Sequence, residues 1–343
     1  MTTLYVTHPR CAEHDLPFHP EHAGRIRAVW NRIEESGVLE RVQAVQAEPV
    51  SEAQILAVHD ADYLKALQSS AQQGQTLHLD SDTYINPQSY EISRLSAGGV
   101  VLAADRVLTG AADNAFVVTR PPGHHAVRQR GMGFCLLGNV AIGAQAMIDT
   151  HRLERVLIVD YDVHHGNGTE AIFYDRPDVM FISTHQYPLY PMTGAVRDIG
   201  IGKGEGCTLN LPMPKHCGDQ RYIEVFERVI IPAARRYRPQ LILVSAGYDA
   251  HWADPLAQMR LTLNGFAELG LRLKALADEL CSGKIVFVME GGYYVEALAY
   301  GMVNVGHILL GEATVDPLGE PDDSIPEPSL TALIEQVQRI HKL

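Results

Sequence analysis

Several protein classes leave signatures that this sequence lacks. Its five cysteines, Cys11, Cys135, Cys207, Cys217 and Cys281, include no Cys-x-x-Cys pair, and their odd number argues against a closed disulfide framework. They read as reduced thiols, which points to a cytoplasmic protein. Basic residues are outnumbered: 28 Lys and Arg stand against 41 Asp and Glu, a net charge of −13. That balance disfavours direct nucleic-acid binding and suits a cationic or neutral partner. No apolar run reaches 18 residues, so no membrane-spanning helix is expected. The stretch from Met1 to His8 has no basic segment leading into an apolar core, so no signal peptide is expected either. No period of 20–50 residues recurs, which excludes a solenoid. What is present is ordinary for a globule: 343 residues, 46% hydrophobic and 20% charged, enough for one large core.

The most informative stretch runs from Val156 to Gly168. Four apolar residues lead directly into Asp160, Asp162, His164 and His165, then Gly166, Asn167 and Gly168. An apolar run without polar alternation suits a strand buried on both faces, as in a parallel sheet. The polar residues then fall at its carboxyl end, where open α/β sheets bind ligands. Side chains two apart share a strand face, so Asp162 and His164 can reach one ion, and an Asp/His pair suits a cation such as zinc. The plainer alternative is a strand end carrying solvated charges.

Periodicity orders the rest. Strands are expected at Leu4–Thr7, Ala115–Thr119, Val156–Asp160, Val179–Thr184, Leu241–Ser245 and Ile285–Met289, with a short edge segment at Thr208–Leu211. Helices are expected from about His19 to Ser36, over short pieces at 53–58 and 61–70, and at 89–109, 139–149, 222–237, 262–280 and 295–310. Residues 79–87 read as a polar loop, and Gly98-Gly99 inside the long helix marks close packing. An acidic, proline-containing linker (316–328) precedes a terminal helix at 329–341. Strands alternating with helices predict an α/β protein with a largely parallel sheet, and residues 1–343 read as a single domain with its core at about 4–310.

Four of the expected strands end in groups that carry chemistry: His124-His125, Asp160 to His165, Asp249, and Glu290-Gly291-Gly292-Tyr293. In a parallel sheet these ends share one edge. Together with Gly133-Phe134-Cys135 and Asp254-Pro255, in this order along the chain, they resemble the zinc-dependent histone deacetylases. That family includes the histone deacetylase-like amidohydrolases and the acetylpolyamine amidohydrolases. The resemblance implies the arginase–deacetylase fold, with about eight parallel strands sandwiched between helices.

It also implies roles. Asp162, His164 and Asp249 match the ligands of one catalytic zinc, which two carboxylates and one imidazole leave with a vacant position. His125 matches the general base and later the acid toward the leaving amine, and His124 its electrostatic companion. Asp160 orients His124, and Asn167 orients His125. Many relatives carry Asp at the latter position, so His125 is expected to be the less basic of the pair. Tyr293 matches the phenol that donates to the developing oxyanion. Phe134 and Tyr190 match the walls of an acyl-lysine tunnel, Gly133 the glycine that meets the substrate amide, and Asp82 a rim residue holding the peptide backbone. Leu256 matches a gatekeeper position that is acidic in polyamine-selective relatives. A structural potassium ion is implied at Asp160, Asp162, His164, Ser183 and Thr184, and a second monovalent site at the backbone of Phe173, Arg176 and Val179.

The expected function is therefore zinc-dependent removal of an acetyl or other acyl group from an acyl-lysine side chain of a protein or peptide. Acetylpolyamine deacetylation is the alternative, and a non-catalytic acyl-lysine binder a further one. Homo-oligomerisation is left open. A ureohydrolase of the arginase type shares the fold but needs further carboxylates for a second metal, which this Asp-x-Asp-x-His-His arrangement does not supply.

Overall fold

The computed structural model describes residues 2–321 and 325–343; positions 322–324 of the expected linker lie outside the described residues. Strands form at β1 (Thr3–Thr7), β2 (Gln43–Gln46), β3 (Leu77–His78), β4 (Tyr84–Ile85), β5 (Asn114–Val118), β6 (Val156–Asp160), β7 (Val179–Gln186), β8 (Thr208–Met213), β9 (Leu241–Ala246) and β10 (Ile285–Met289). Helices form at α1 (Gly24–Glu35), α2 (Glu52–Leu56), α3 (Ala61–Gln72), α4 (Ser89–Leu108), α5 (Asn139–His151), α6 (Asn167–Phe173), α7 (Asp219–Val225), α8 (Ile231–Tyr237), α9 (Leu263–Cys281), α10 (Val295–Leu310) and α11 (Thr331–His341).

Among the described residues, eight strands pair side by side in the order β2-β1-β5-β10-β9-β6-β7-β8, every pairing parallel. The reason polar alternation is missing from the central strands is visible in the two cores. Leu157 and Val159 of β6 join a layer with Ile26 of α1, Leu273 of α9, Met302 of α10 and Ile334 of α11. Val156 and Ile158 point the opposite way, to Val100 of α4 and Val140 of α5. Both faces of a strand therefore need apolar side chains, and each fully buried one contributes about 1.5–3 kcal/mol. Gly98 in α4 is where the chain passes closest: a Cβ there would stand 1.7 Å from the Glu48 carbonyl oxygen. No helix among the described residues is long and apolar enough to cross a membrane.

Several local expectations need correction. β2, a short edge strand with only Ala44 and Val45 apolar, is not legible as a strand; it pairs with β1, and Val45 packs against one of the cores. The expected loop at 79–87 contains the rung that pairs β4 antiparallel to β3, with Tyr84 and Ile85 buried. α1 begins at Gly24 instead of near His19, because Glu21 is drawn into a buried ion cluster and the Ala23 N–H is capped by Asp15. The helix expected over 222–237 passes through one π turn at Phe226–Ile230.

Candidate active site

β5, β10, β9 and β6 are adjacent in the sheet, so the segments leaving their carboxyl ends meet along one edge. From β6 come Asp162 and His164, and from β9 comes Asp249. His164 Nδ1 lies 3.2 Å from Asp162 Oδ1 and 3.1 Å from Asp249 Oδ2, all three residues being buried. Tetrahedral ligands at about 2.0–2.1 Å from an ion stand about 3.3 Å apart, so the trio fits one small divalent cation. Backbone donors fix the carboxylates: Gly291 N–H to Asp162 Oδ2 and Val163 N–H to Asp249 Oδ1, each at 2.9 Å. Burial alone would lower the His164 imidazole, but Asp162 and Asp249 raise it to about 10. The same two carboxylates that favour a proton on this ring would favour a cation, which competes with that proton. The alternative of solvated charges at a strand end does not describe these residues.

The histidine pair leaves β5. His124 Nδ1 lies 3.0 Å from Asp160 Oδ2, and His125 Nδ1 lies 2.7 Å from Asn167 Oδ1. The amide oxygen of Asn167 accepts, so His125 carries its proton on Nδ1 and keeps a lone pair on Nε2. Burial works against both imidazolium ions. Asp162 and Asp160 overcome it for His124, whose pKa stands well above its ordinary value. For His125 burial is reinforced by His124 and His164, and its pKa falls well below. His125 is the less basic of the two: burial acts on both rings, and the carboxylates of Asp162 and Asp160 overcome it only for His124, while His125 faces two imidazoles and an amide.

A cavity of about 230 Å³ opens onto these groups, lined by Asp82, His125, Gly133, Phe134, Tyr190, Leu256 and Tyr293 among others. It is smaller than the roughly 300–1,000 Å³ of a drug-sized pocket. The Phe134 ring packs edge-on to Tyr293 with centroids 5.6 Å apart, and Tyr190 packs edge-on to His125 at 5.2 Å. Gly133 has φ +55°, and a Cβ there would stand 2.4 Å from the His125 ring. Larger clefts lie elsewhere, about 410 Å³ beside Trp30 and 560 Å³ beside His341, yet neither contains the candidate ligands. Chemistry, not size, selects the smaller cavity.

Beneath it, Asp160 pairs in register with Ser183, whose Oγ meets His185 Nδ1 at 3.0 Å, while the buried Thr184 hydroxyl has no hydrogen-bond partner among the described residues. Phe173 and Val179 flank Arg176, whose guanidinium turns to Asp178 and Gln145.

Several residues at the site carry no local sequence signature. Glu21, Arg25 and Arg120 form a fully buried ion cluster, with Glu21 Oε1 3.0 Å from Arg25 and Oε2 2.5 Å from Arg120. Arg25 also donates to the carbonyls of Gly292 (2.8 Å) and Glu290 (2.6 Å) and lies over the Tyr293 ring. One signal was available: Arg25 stands four residues before Val29, on the apolar stripe of α1, where a charge is out of place. Glu290 accepts from Gly123 N–H at 2.7 Å and, with His124 and Cys135, forms a second group with metal-ligand side chains. There burial holds the Cys135 thiol well above its ordinary pKa, so it offers no thiolate.

A family model described as the histone deacetylase domain matches residues 19–309. A protein named as a probable deacetylase in Archaeoglobus fulgidus is 39% identical over 99% of this chain and 98% of its own length. A histone deacetylase-like amidohydrolase of Pseudomonas aeruginosa is 42% identical over 80% of this chain and 72% of its own. The crystal structure of the HDA15 HD domain superposes with a TM-score of 0.90 at 33% identity, covering 99% of this chain and 94% of that one. The architecture is thus a single α/β domain with the arginase–deacetylase fold. On sequence, sheet topology and domain match together, the chain belongs to the histone deacetylase family of deacetylases and amidohydrolases.

Proposed function

We propose that the protein is a zinc-dependent deacylase that hydrolyses the amide of an acyl-lysine side chain, most readily acetyl-lysine, to a carboxylate and a free amine. The observation that carries this reading is the convergence of Asp162, His164 and Asp249 at ion-binding spacing beside a narrow cavity that His125 and Tyr293 also line. Bound there, zinc would polarise the amide carbonyl and favour ionisation of water. His125, neutral with a free Nε2, takes the proton of the attacking water and returns it to the departing amine. His124, held cationic by Asp160 and Asp162, stabilises negative charge across the step. Tyr293 stays a phenol, its pKa held well above the ordinary value first by burial, and donates to the oxyanion. Phe134 and Tyr190 shield the acyl-lysine stem from water; Gly133 and Asp82 meet its amide and the peptide backbone.

A potassium ion is proposed at Asp160, Asp162, His164, Ser183 and Thr184. A second monovalent site is proposed at the backbone of Phe173, Arg176 and Val179, where the Arg176 guanidinium is turned aside. Residues 1–343 are proposed to act as one deacetylase domain, and the free cysteines, four of the five buried, suit a cytoplasmic setting.

Release of free amine from an acetyl-lysine peptide, with and without a chelator, tests the reading. Tyr293→Phe and His125→Ala should each lower kcat by at least ~10²; near-wild-type turnover in either overturns the role given to that side chain. Acetylpolyamine hydrolysis is the second reading, favoured by the Asp82 carboxyl at the cavity mouth beside Asp80. Leu256 opposes it, being apolar where a distal amine would need a partner. Acetyl-lysine peptides should therefore exceed acetylspermidine in kcat/KM, and the reverse order moves the assignment.

A further inference from the structure

Asp254 lies five residues past the ligand Asp249, in the connection between β9 and α9, and is buried. Its Oδ2 accepts the backbone N–H groups of Tyr293 at 2.7 Å and Tyr294 at 3.0 Å, and its Oδ1 accepts the N–H of Leu256 at 2.9 Å. One carboxylate thus ties two connections that are far apart in sequence. One carries the phenol and the other an apolar residue of the cavity wall. The phenol turn has little stiffness of its own, since Gly291-Gly292 precedes it and Gly292 has φ +121°. Its carbonyls are held by Arg25 on one side, and Asp254 holds its N–H groups on the other. The carboxylate also faces the amino end of α10, where negative charge is favoured.

We propose that Asp254 is a positioning residue that sets the Tyr293 phenol and the Leu256 side chain as one unit. It touches no reacting atom. By fixing the three N–H groups it fixes where the phenol points relative to Asp162, His164 and Asp249 and anchors the backbone at Leu256. An amide in its place has a single acceptor oxygen, so the NH₂ group must face N–H donors on one side, and that side is released. The inference rests on the role given to Tyr293 above, and its test separates the two.

The test is a double-mutant cycle with a second, activity-independent readout. Asp254→Asn should lower kcat on an acetyl-lysine peptide by ~10–100-fold with KM changed by less than about 3-fold. In the Tyr293→Phe background the same substitution should cost less than about 3-fold more, because the phenol through which it acts is gone. By hydrogen exchange, the amides of Tyr293 and Tyr294 should exchange at least ~10-fold faster in Asp254→Asn than in wild type. Equal losses in both backgrounds, or unaltered exchange, overturn the proposal. Where thermal melting shows that Asp254→Asn does not fold, Asp254→Glu goes through the same measurements; it keeps the charge and displaces the oxygens by one methylene. A wild-type protein inactive on every acylated amine would refute the proposed function, and the exchange result would then decide the placement of the turn alone.

Discussion

His124 and His125 are neighbours in sequence with opposite acid–base behaviour. The difference lies in what their Nδ1 atoms face, a carboxylate for His124 and an amide for His125, and in His124 and His164 crowding His125 with like charge. Replacing the amide by a carboxylate, Asn167→Asp, would favour the His125 imidazolium. A base that must be neutral to accept a proton would then be available only at higher pH. The acid limb of kcat/KM should move up by about 1 unit, read from a pH–rate profile; an unmoved limb would mean that His125 does not act as the base. At this scale, the residues that the site brings together were legible, because two polar side chains spaced as Asp162-x-His164 after a buried apolar strand are out of place unless they share a partner. What Asp254 and Arg25 hold was not, because the backbone groups they bond lie 39 and 267 residues away, and no local pattern records a partner at that distance.

Among elements, the Glu21–Arg25–Arg120 cluster joins the approach to α1, the helix itself and the segment leaving β5. Removing the carboxylate that faces both guanidinium groups at hydrogen-bond distance should be costly: Glu21→Gln is expected to destabilise by about 3–5 kcal/mol, measured as a shift in urea midpoint. Burial would raise the Glu21 carboxyl, but Arg120 and Arg25 bring it down to about 2 from an ordinary 4.5. A folded-state pKa below the unfolded one gives stability that is present above pH 4.5 and lost as pH falls through about 2. The gap between wild type and Glu21→Gln should therefore narrow across that window, and a constant gap would refute the linkage. Elements with a strong apolar period, such as β6, α9 and α10, were legible almost to the residue. β2 and the β3–β4 rung were not, since a four-residue edge strand with glutamine at both ends and two-residue strands owe their conformation to a neighbour rather than to their own composition.

For the molecule as a whole, a divalent cation held by the residues that follow β6 and β9 would link binding to folding. A chelator should abolish turnover and lower the melting temperature, and one equivalent of zinc should restore both; at a free zinc concentration of 100 Kd the added stability is about 2.7 kcal/mol. Metal analysis should return one zinc per chain, and two manganese would instead fit the ureohydrolase chemistry that shares this fold.

Strand order also decides when the centre is finished during synthesis. β1, β2 and β5 form one trio and β6, β7 and β8 another, while the pair that bridges them, β9 and β10, comes off the ribosome last. Until then the facing rims of both trios stand open, inviting wrong partners as unpaired strands do. A chain cut short before β9 therefore has neither the bridging pair of strands nor Asp249 and Tyr293, which follow them.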